Sequence, residues 1–238
     1  MCVVLVCPKD VRPDFDTLAA CEEANPHGGG IAWRDGKHVV WRKSDDVREI
    51  HRLATIAKGE IVIHFRIASV GAACAELRHP FPVDYRASLK ARGKAKAVLF
   101  QNGTWAGWRK SLEFAESEGH RVPPGPMSDA RAAAWLCSIY GHKFLQKCEP
   151  SRWVYFSHQE TALFGQWHKR RGISFSNLSI GSVGGQNTLP RRKMFPAVIK
   201  RRRATRQNWR KSLNFGTCPS NRAMGTSSIA TAGKANPC

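Results

Sequence analysis

Met1-Cys2-Val3-Val4-Leu5-Val6-Cys7 is the stretch on which the reading of this chain turns. Val3-Val4-Leu5-Val6 is short, apolar and rich in β-branched residues, the pattern of a buried strand. Removal of Met1 would leave Cys2 first in the chain, at the head of that strand. One residue would then carry a thiol, with a reference pKa of about 8.5, and a free α-amine, at about 7.7–8.0. Such an amine can take the proton of its own nucleophile near neutral pH, directly or through a water.

The chain has 238 residues, 42% of them hydrophobic, which is enough for a real core. Its net charge of +20 is unevenly placed. All 18 acidic residues lie at or before Glu160, together with 23 of the 38 Lys and Arg, and the other 15 basic residues follow. The basicity therefore belongs mainly to the C-terminal third. Eight cysteines, at 2, 7, 21, 74, 137, 148, 218 and 238, form no C-x-x-C pair and no zinc-type spacing with histidine. No metal site is expected. The N-terminal apolar run is too short for a secretory leader and no basic segment precedes it. No run approaches the roughly 18 apolar residues of a membrane span. A reducing, cytoplasmic setting is the expectation, with most cysteines serving as core residues.

Taken in order, residues 2–7 predict a first strand. Asp14 predicts the cap of a helix running to about Ala24. Asn25-Pro26-His27-Gly28-Gly29-Gly30 breaks it, and three consecutive glycines predict a close backbone approach, to a ligand or to another strand. Asp35-Gly36 between Ile31-Ala32-Trp33 and Val39-Val40-Trp41 is a hairpin signal. Ser44 is the expected cap of a second helix, with Val47, Ile50, Leu53, Ala54 and Ala57 at helical spacing and Gly59 as its stop. A strand over 60–67, a loop over 69–82, a strand over 95–100 and a tight turn at Gln101-Asn102-Gly103 follow. Trp108 to Glu118 predicts a helix, with Trp105 and Trp108 as packing residues. Ser128 or Asp129 caps another that closes at Gly141. Trp153 to Ser157 and Thr161 to Phe164 predict a late hairpin, and Ser174 to Asn177 a last short strand. Residues 189–238, with basic clusters at 191–193 and 200–203, predict a tail without a core of its own. The pattern is α+β, with antiparallel sheets.

Four stretches stand together in this order: Met1-Cys2, residues 25–32, His64-Phe65-Arg66-Ile67-Ala68-Ser69-Val70-Gly71, and Gln101-Asn102-Gly103. With Leu77-Arg78-His79-Pro80-Phe81 and Ser128-Asp129, they resemble the glutaminase domain of the class II glutamine amidotransferases, which are N-terminal-nucleophile hydrolases. The resemblance covers roughly residues 2–180. It is to stand-alone domains, phage-type ones among them, with no synthase domain attached. It implies a four-layer αββα sandwich of two antiparallel sheets over 2–188, followed by the tail at 189–238, and no metal or organic cofactor.

The resemblance also implies roles. Cys2 attacks the side-chain amide carbon of glutamine. Asn102 and the backbone N–H of Gly103 stabilise the oxyanion, where one donor is worth about 3–4 kcal/mol of barrier. Arg66 holds the substrate carboxylate, Ser69 adds a hydroxyl there, and Asp129 receives the α-ammonium. His64 has no catalytic role in this reading. A separate enzyme accepts the ammonia. The chain departs from the family at Val3, where Gly is frequent, at Gln101, where His is usual, at Val70, often His, and at Arg131, which replaces an acidic residue.

Two other readings share these residues. An N-terminal-Cys amidase or acylase would keep Cys2 but has no use for Arg66 and Asp129 together. A nucleic-acid-binding protein would use the basic clusters and Trp209, with strong salt dependence, although no nucleic-acid-binding motif is present.

Overall fold

The first strand, β1 (Val3–Cys7), is buried along its whole length. It lies inside a seven-stranded antiparallel sheet, between β4 (Ile61–Phe65) and β11 (Ile173–Phe175). The computed structural model describes residues 2–178, so the expectations for the tail at 189–238 lie outside the described residues. Beyond β4 come β2 (Gly29–Asp35), β3 (His38–Ser44) and β6 (Arg92–Ala95), and β10 (His168–Arg170) forms the opposite edge. A second antiparallel sheet has the order β5 (Phe81–Pro82), β7 (Ala97–Asn102), β8 (Arg152–Ser157) and β9 (Thr161–Phe164).

Strand alternation divides β1 between two cores. Val3, Leu5 and Cys7 pack with Leu18 of α1 (Phe15–Ala24) and with Ile50 and Leu53 of α2 (Val47–Ile56). Val4 and Val6 face the other way, into a layer with Val62, Val98, Phe100 and Phe156 that joins the two sheets. On the far side, α3 (Trp108–Ser117) and α4 (Asp129–Tyr140) cover the small sheet through Leu99, Trp105, Trp135 and Trp153. The order of layers is helices, sheet, sheet, helices, the αββα sandwich expected from the sequence.

Local chemistry explains most element boundaries. Asp14 caps α1 by accepting from the Thr17 N–H at 2.7 Å. Asp46, not Ser44, caps α2, accepting from Arg48 N–H at 2.8 Å. Ser44 stands just outside, accepting from the Asp46 N–H and donating to Glu49. The glycine run approaches another segment of this chain, because a Cβ on Gly30 would lie 2.0 Å from the His79 carbonyl oxygen. The strand expected over 95–100 is two strands in two sheets, with Lys96 alone between β6 and β7. Gln101 and Asn102 complete β7 rather than forming a turn. β10 and a 3-10 turn at His142–Lys147 were not expected.

Arg131 accounts for its own departure from the family pattern. Its guanidinium donates to the carbonyls of Ala87, Pro126, Arg86 and Pro124 at 2.8–3.2 Å. It ties the proline-rich connector to α4, a structural task that no carboxylate could perform.

Phe100 is fully buried between the sheets. Phe100→Ala is expected to cost about 3–5 kcal/mol of unfolding free energy. Leu163→Ala, on the partly exposed β9, is expected to stay within about 0.5 kcal/mol. Urea denaturation of the two variants measures the difference.

Candidate functional site

Cys2 immediately precedes β1, at the end where β4 gives way to the loop after Phe65. Its thiol donates to Ile67 O at 3.2 Å, and the Ile67 N–H points at the sulfur from 3.3 Å. Burial pushes the thiol above its ordinary value, with the Ile67 N–H and the Arg66 guanidinium pulling the other way. A protonated thiol at neutral pH needs a base before it can attack.

Arg66 extends the β4 pairing by one step, its N–H donating to Gly28 O at 2.8 Å and its own carbonyl accepting from His27 N–H at 3.0 Å. Its buried guanidinium donates to Ala72 O at 3.0 Å and Val70 O at 3.3 Å, so the loop after β4 wraps around it. Cys2 and Asp129 both act on it electrostatically, while burial lowers its pKa. Ser69 is exposed on that loop, its Oγ 3.2 Å from Thr104 Oγ1.

Asp129 is the first residue of α4. Ser128 takes the capping role, accepting from Arg131 N–H at 3.2 Å, and this leaves the Asp129 carboxylate for other partners. Its Oδ2 accepts from Trp105 N–H at 2.9 Å and from Gln101 Nε2 at 2.8 Å, and Oδ1 accepts from Ala130 N–H at 3.0 Å. Burial raises its pKa, against these donors.

Cys2, Arg66, Ser69, Gly103 and Asp129 line one cleft. A larger hollow beside Tyr85 and Pro124 is lined by neither a cysteine nor an acidic side chain. Gly103 has φ +126°, and a Cβ there would come 2.9 Å from Ser151 Cα, so glycine is required.

Asn102 stands behind the cleft rather than on its wall. It is fully buried, and its Nδ2 donates to Ser176 Oγ at 2.8 Å. The same Oγ accepts from Val4 N–H at 2.9 Å, and Ser176 N–H returns a bond to Val4 O. Asn102 Oδ1 has no hydrogen-bond partner among the described residues. Ser176 gave no signal in the sequence, because its partners are 74 and 172 residues away. Ser151, which accepts from Gln101 Nε2 at 3.1 Å, was equally silent.

His64 pairs with His79, Nε2 to Nδ1, at 3.0 Å, and His79 lines the cleft. Both rings are buried, and burial is the largest cause that holds His64 down to about 3 and His79 well below its ordinary value. No group of three or more His, Cys, Asp or Glu able to hold a metal occurs among the described residues. None of their helices is long and apolar enough to cross a membrane.

The sequence matches no family model and no curated protein. Solved structures do resemble it. Glutamine phosphoribosylpyrophosphate amidotransferase from B. subtilis, complexed with ADP and GMP, superposes with a TM-score of 0.50 at 15% identity. The match covers 74% of this chain and 41% of that one, so the chain spans about two fifths of its neighbour's length. A structure described as the allosteric regulatory enzyme of purine biosynthesis gives 0.46 at 16% identity, over 66% and 36% of the two chains. Likeness at this identity speaks to the fold. With two antiparallel sheets between helical layers, the chain has the N-terminal-nucleophile hydrolase fold.

The histidine pair has a consequence for acid stability. Both rings stay neutral when folded, whereas in the unfolded chain they protonate below about pH 6.5. Stability present above pH 6.5 is therefore lost as pH falls, by up to about 1.4 kcal/mol per unit for each histidine. The urea midpoint is expected to fall from pH 6.5 to 4.5, and to fall less steeply in a His79→Asn variant.

Proposed function

We propose that this chain hydrolyses the side-chain amide of glutamine, with Cys2 as the nucleophile once Met1 is removed, and passes the ammonia to a separate acceptor enzyme. The observation that carries this reading is the meeting of a sulfur, a buried arginine and a buried aspartate at one cleft. They come from three separate elements. A free amino acid presents a carboxylate and an ammonium, and Arg66 and Asp129 offer the opposite charges. The amidotransferase neighbour adds an analogy at the level of the fold.

The chemistry follows from the groups present. The α-amine of Cys2 takes the thiol proton as the sulfur attacks the amide carbon. The negative oxygen that forms meets the Gly103 N–H, while Asn102, behind the cleft, holds Ser176 instead of serving as the oxyanion donor that the sequence suggested. The amine returns its proton to the leaving nitrogen, ammonia departs and a thioester remains. Water then attacks the thioester, releasing glutamate and restoring the thiol. Arg66 reaches a substrate carboxylate by exchanging the Val70 and Ala72 carbonyls for it.

Intact mass before and after exposure to a diazo-ketone of norleucine tests the nucleophile and the glutamine site together. Loss of Met1 and a single adduct on Cys2 are expected. Absence of the adduct from a chain that begins at Cys2, with no ammonia released from glutamine, would overturn the proposal. Arg66→Ala removes a charge-assisted contact of about 1.5–3 kcal/mol, so KM for glutamine is expected to rise about 10–100-fold. An amidase acting on other acyl groups would be nearly indifferent to that change.

A further inference from the structure

We infer that Gln101 is a positioning residue of the glutamine site, holding the Asp129 carboxylate in place for the substrate ammonium and setting the selectivity for α-amino substrates. The inference rests on the glutamine reading above and concerns the same cleft.

Gln101 and Asn102 are consecutive on β7, so their side chains fall on opposite faces of the small sheet. Asn102 turns toward the large sheet and Ser176, whereas Gln101 turns toward α4 and lines the cleft. Gln101 is only 2% exposed. Its Nε2 lies 2.8 Å from Asp129 Oδ2 and 3.1 Å from Ser151 Oγ. An ionised carboxylate only accepts hydrogen bonds, so the nitrogen of the amide, not its oxygen, must face Asp129. With that nitrogen committed to Asp129 and Ser151, the group Gln101 has left for a ligand is an acceptor, Oε1. An α-ammonium carries three donors and needs acceptors around it. A carboxylate and an amide oxygen on adjoining walls meet that need.

Of the three donors on Asp129, two are backbone N–H groups that no substitution removes, from Trp105 and Ala130. Gln101 supplies the third. Among the described residues it is the one side chain that donates to this buried carboxylate, whose charge burial opposes. Arg66, Cys2 and His79 face the same cleft from the loop after β4, the head of β1 and the segment before β5. Arg66 favours the ionised carboxylate. A glutamine side chain adds no charge of its own between pH 5 and 8, so the support Gln101 gives Asp129 does not itself titrate there.

The test uses the full-length protein beginning at Cys2 and two substrates, glutamine and its deaminated analogue, the monoamide of glutaric acid. Gln101→Leu is expected to raise KM for glutamine about tenfold while kcat changes less than threefold. The acid limb of kcat/KM should move to higher pH, because the carboxylate loses a donor. On the deaminated analogue the same variant should match the unaltered chain. Gln101→His restores a donor and is expected to recover most of the affinity for glutamine above pH 7. Gln101→Met, close to glutamine in shape, accompanies Gln101→Leu so that a folding defect in one does not remove the measurement. An equal loss on both substrates, a loss confined to kcat, or an unchanged KM in both apolar variants would overturn the inference. An unaltered chain that releases no ammonia from glutamine would instead overturn the underlying reading.

Discussion

The full burial of β1 is the constraint on which the rest depends. A strand covered on both faces must satisfy its backbone through neighbours on both edges, because no water reaches it. β4 supplies one edge over five residue pairs, and β11 with Ser176 supplies the other. The result is a strand paired on both edges, with Cys2 immediately before it. The same strand divides its apolar side chains between the helical layer and the joint of the two sheets, so the two inner cores and the sulfur share one support.

Around that head the site is assembled from opposite sides. Arg66 leaves the strand next to β1 and is wrapped by its own loop. Asp129 arrives at the start of a helix on the other side of the small sheet. Charge separation of this kind is costly in a buried place, and each group is accordingly hydrogen-bonded on its own side. The arginine meets carbonyls and the aspartate meets N–H groups. Each charged group is thus met by partners of the opposite polarity.

Much of this was legible in the sequence, and the exceptions share a cause. The strand after Met1, the Asp35-Gly36 hairpin, the cap at Asp14 and the helix ending at Gly141 are local signals, resolved within a few residues by propensity and turn chemistry. The candidate site was legible as a set of short stretches, and Cys2, Arg66, Ser69, Gly103 and Asp129 do line one cleft. What the sequence concealed depends on distant partners. The passage from β6 to β7 at Lys96 leaves no mark, since either sheet accepts the same alternation. Ser44 and Asp46 are both competent caps, and only the paths of the chain decide between them. Asn102 looked like a turn residue, and its burial depends on Ser176, whose serine is ordinary in every local respect. Arg131 looked like a lost carboxylate until its four carbonyl acceptors came into view.

Ser176 also sets the order in which this molecule comes into being. One hydroxyl joins Val4, near the start of the chain, to Asn102, and it lies 172 residues beyond the first of these. A ribosome delivers residues from the N-terminus at roughly 5–20 per second. For several seconds, then, the segment carrying Cys2 exists without the strand and hydroxyl that complete its surroundings. During synthesis the sulfur is an ordinary cysteine, and its environment is finished only when almost the whole domain has emerged. Contacts of such long sequence separation also slow folding. The head of β1 is thus synthesised well before the residue that completes its surroundings.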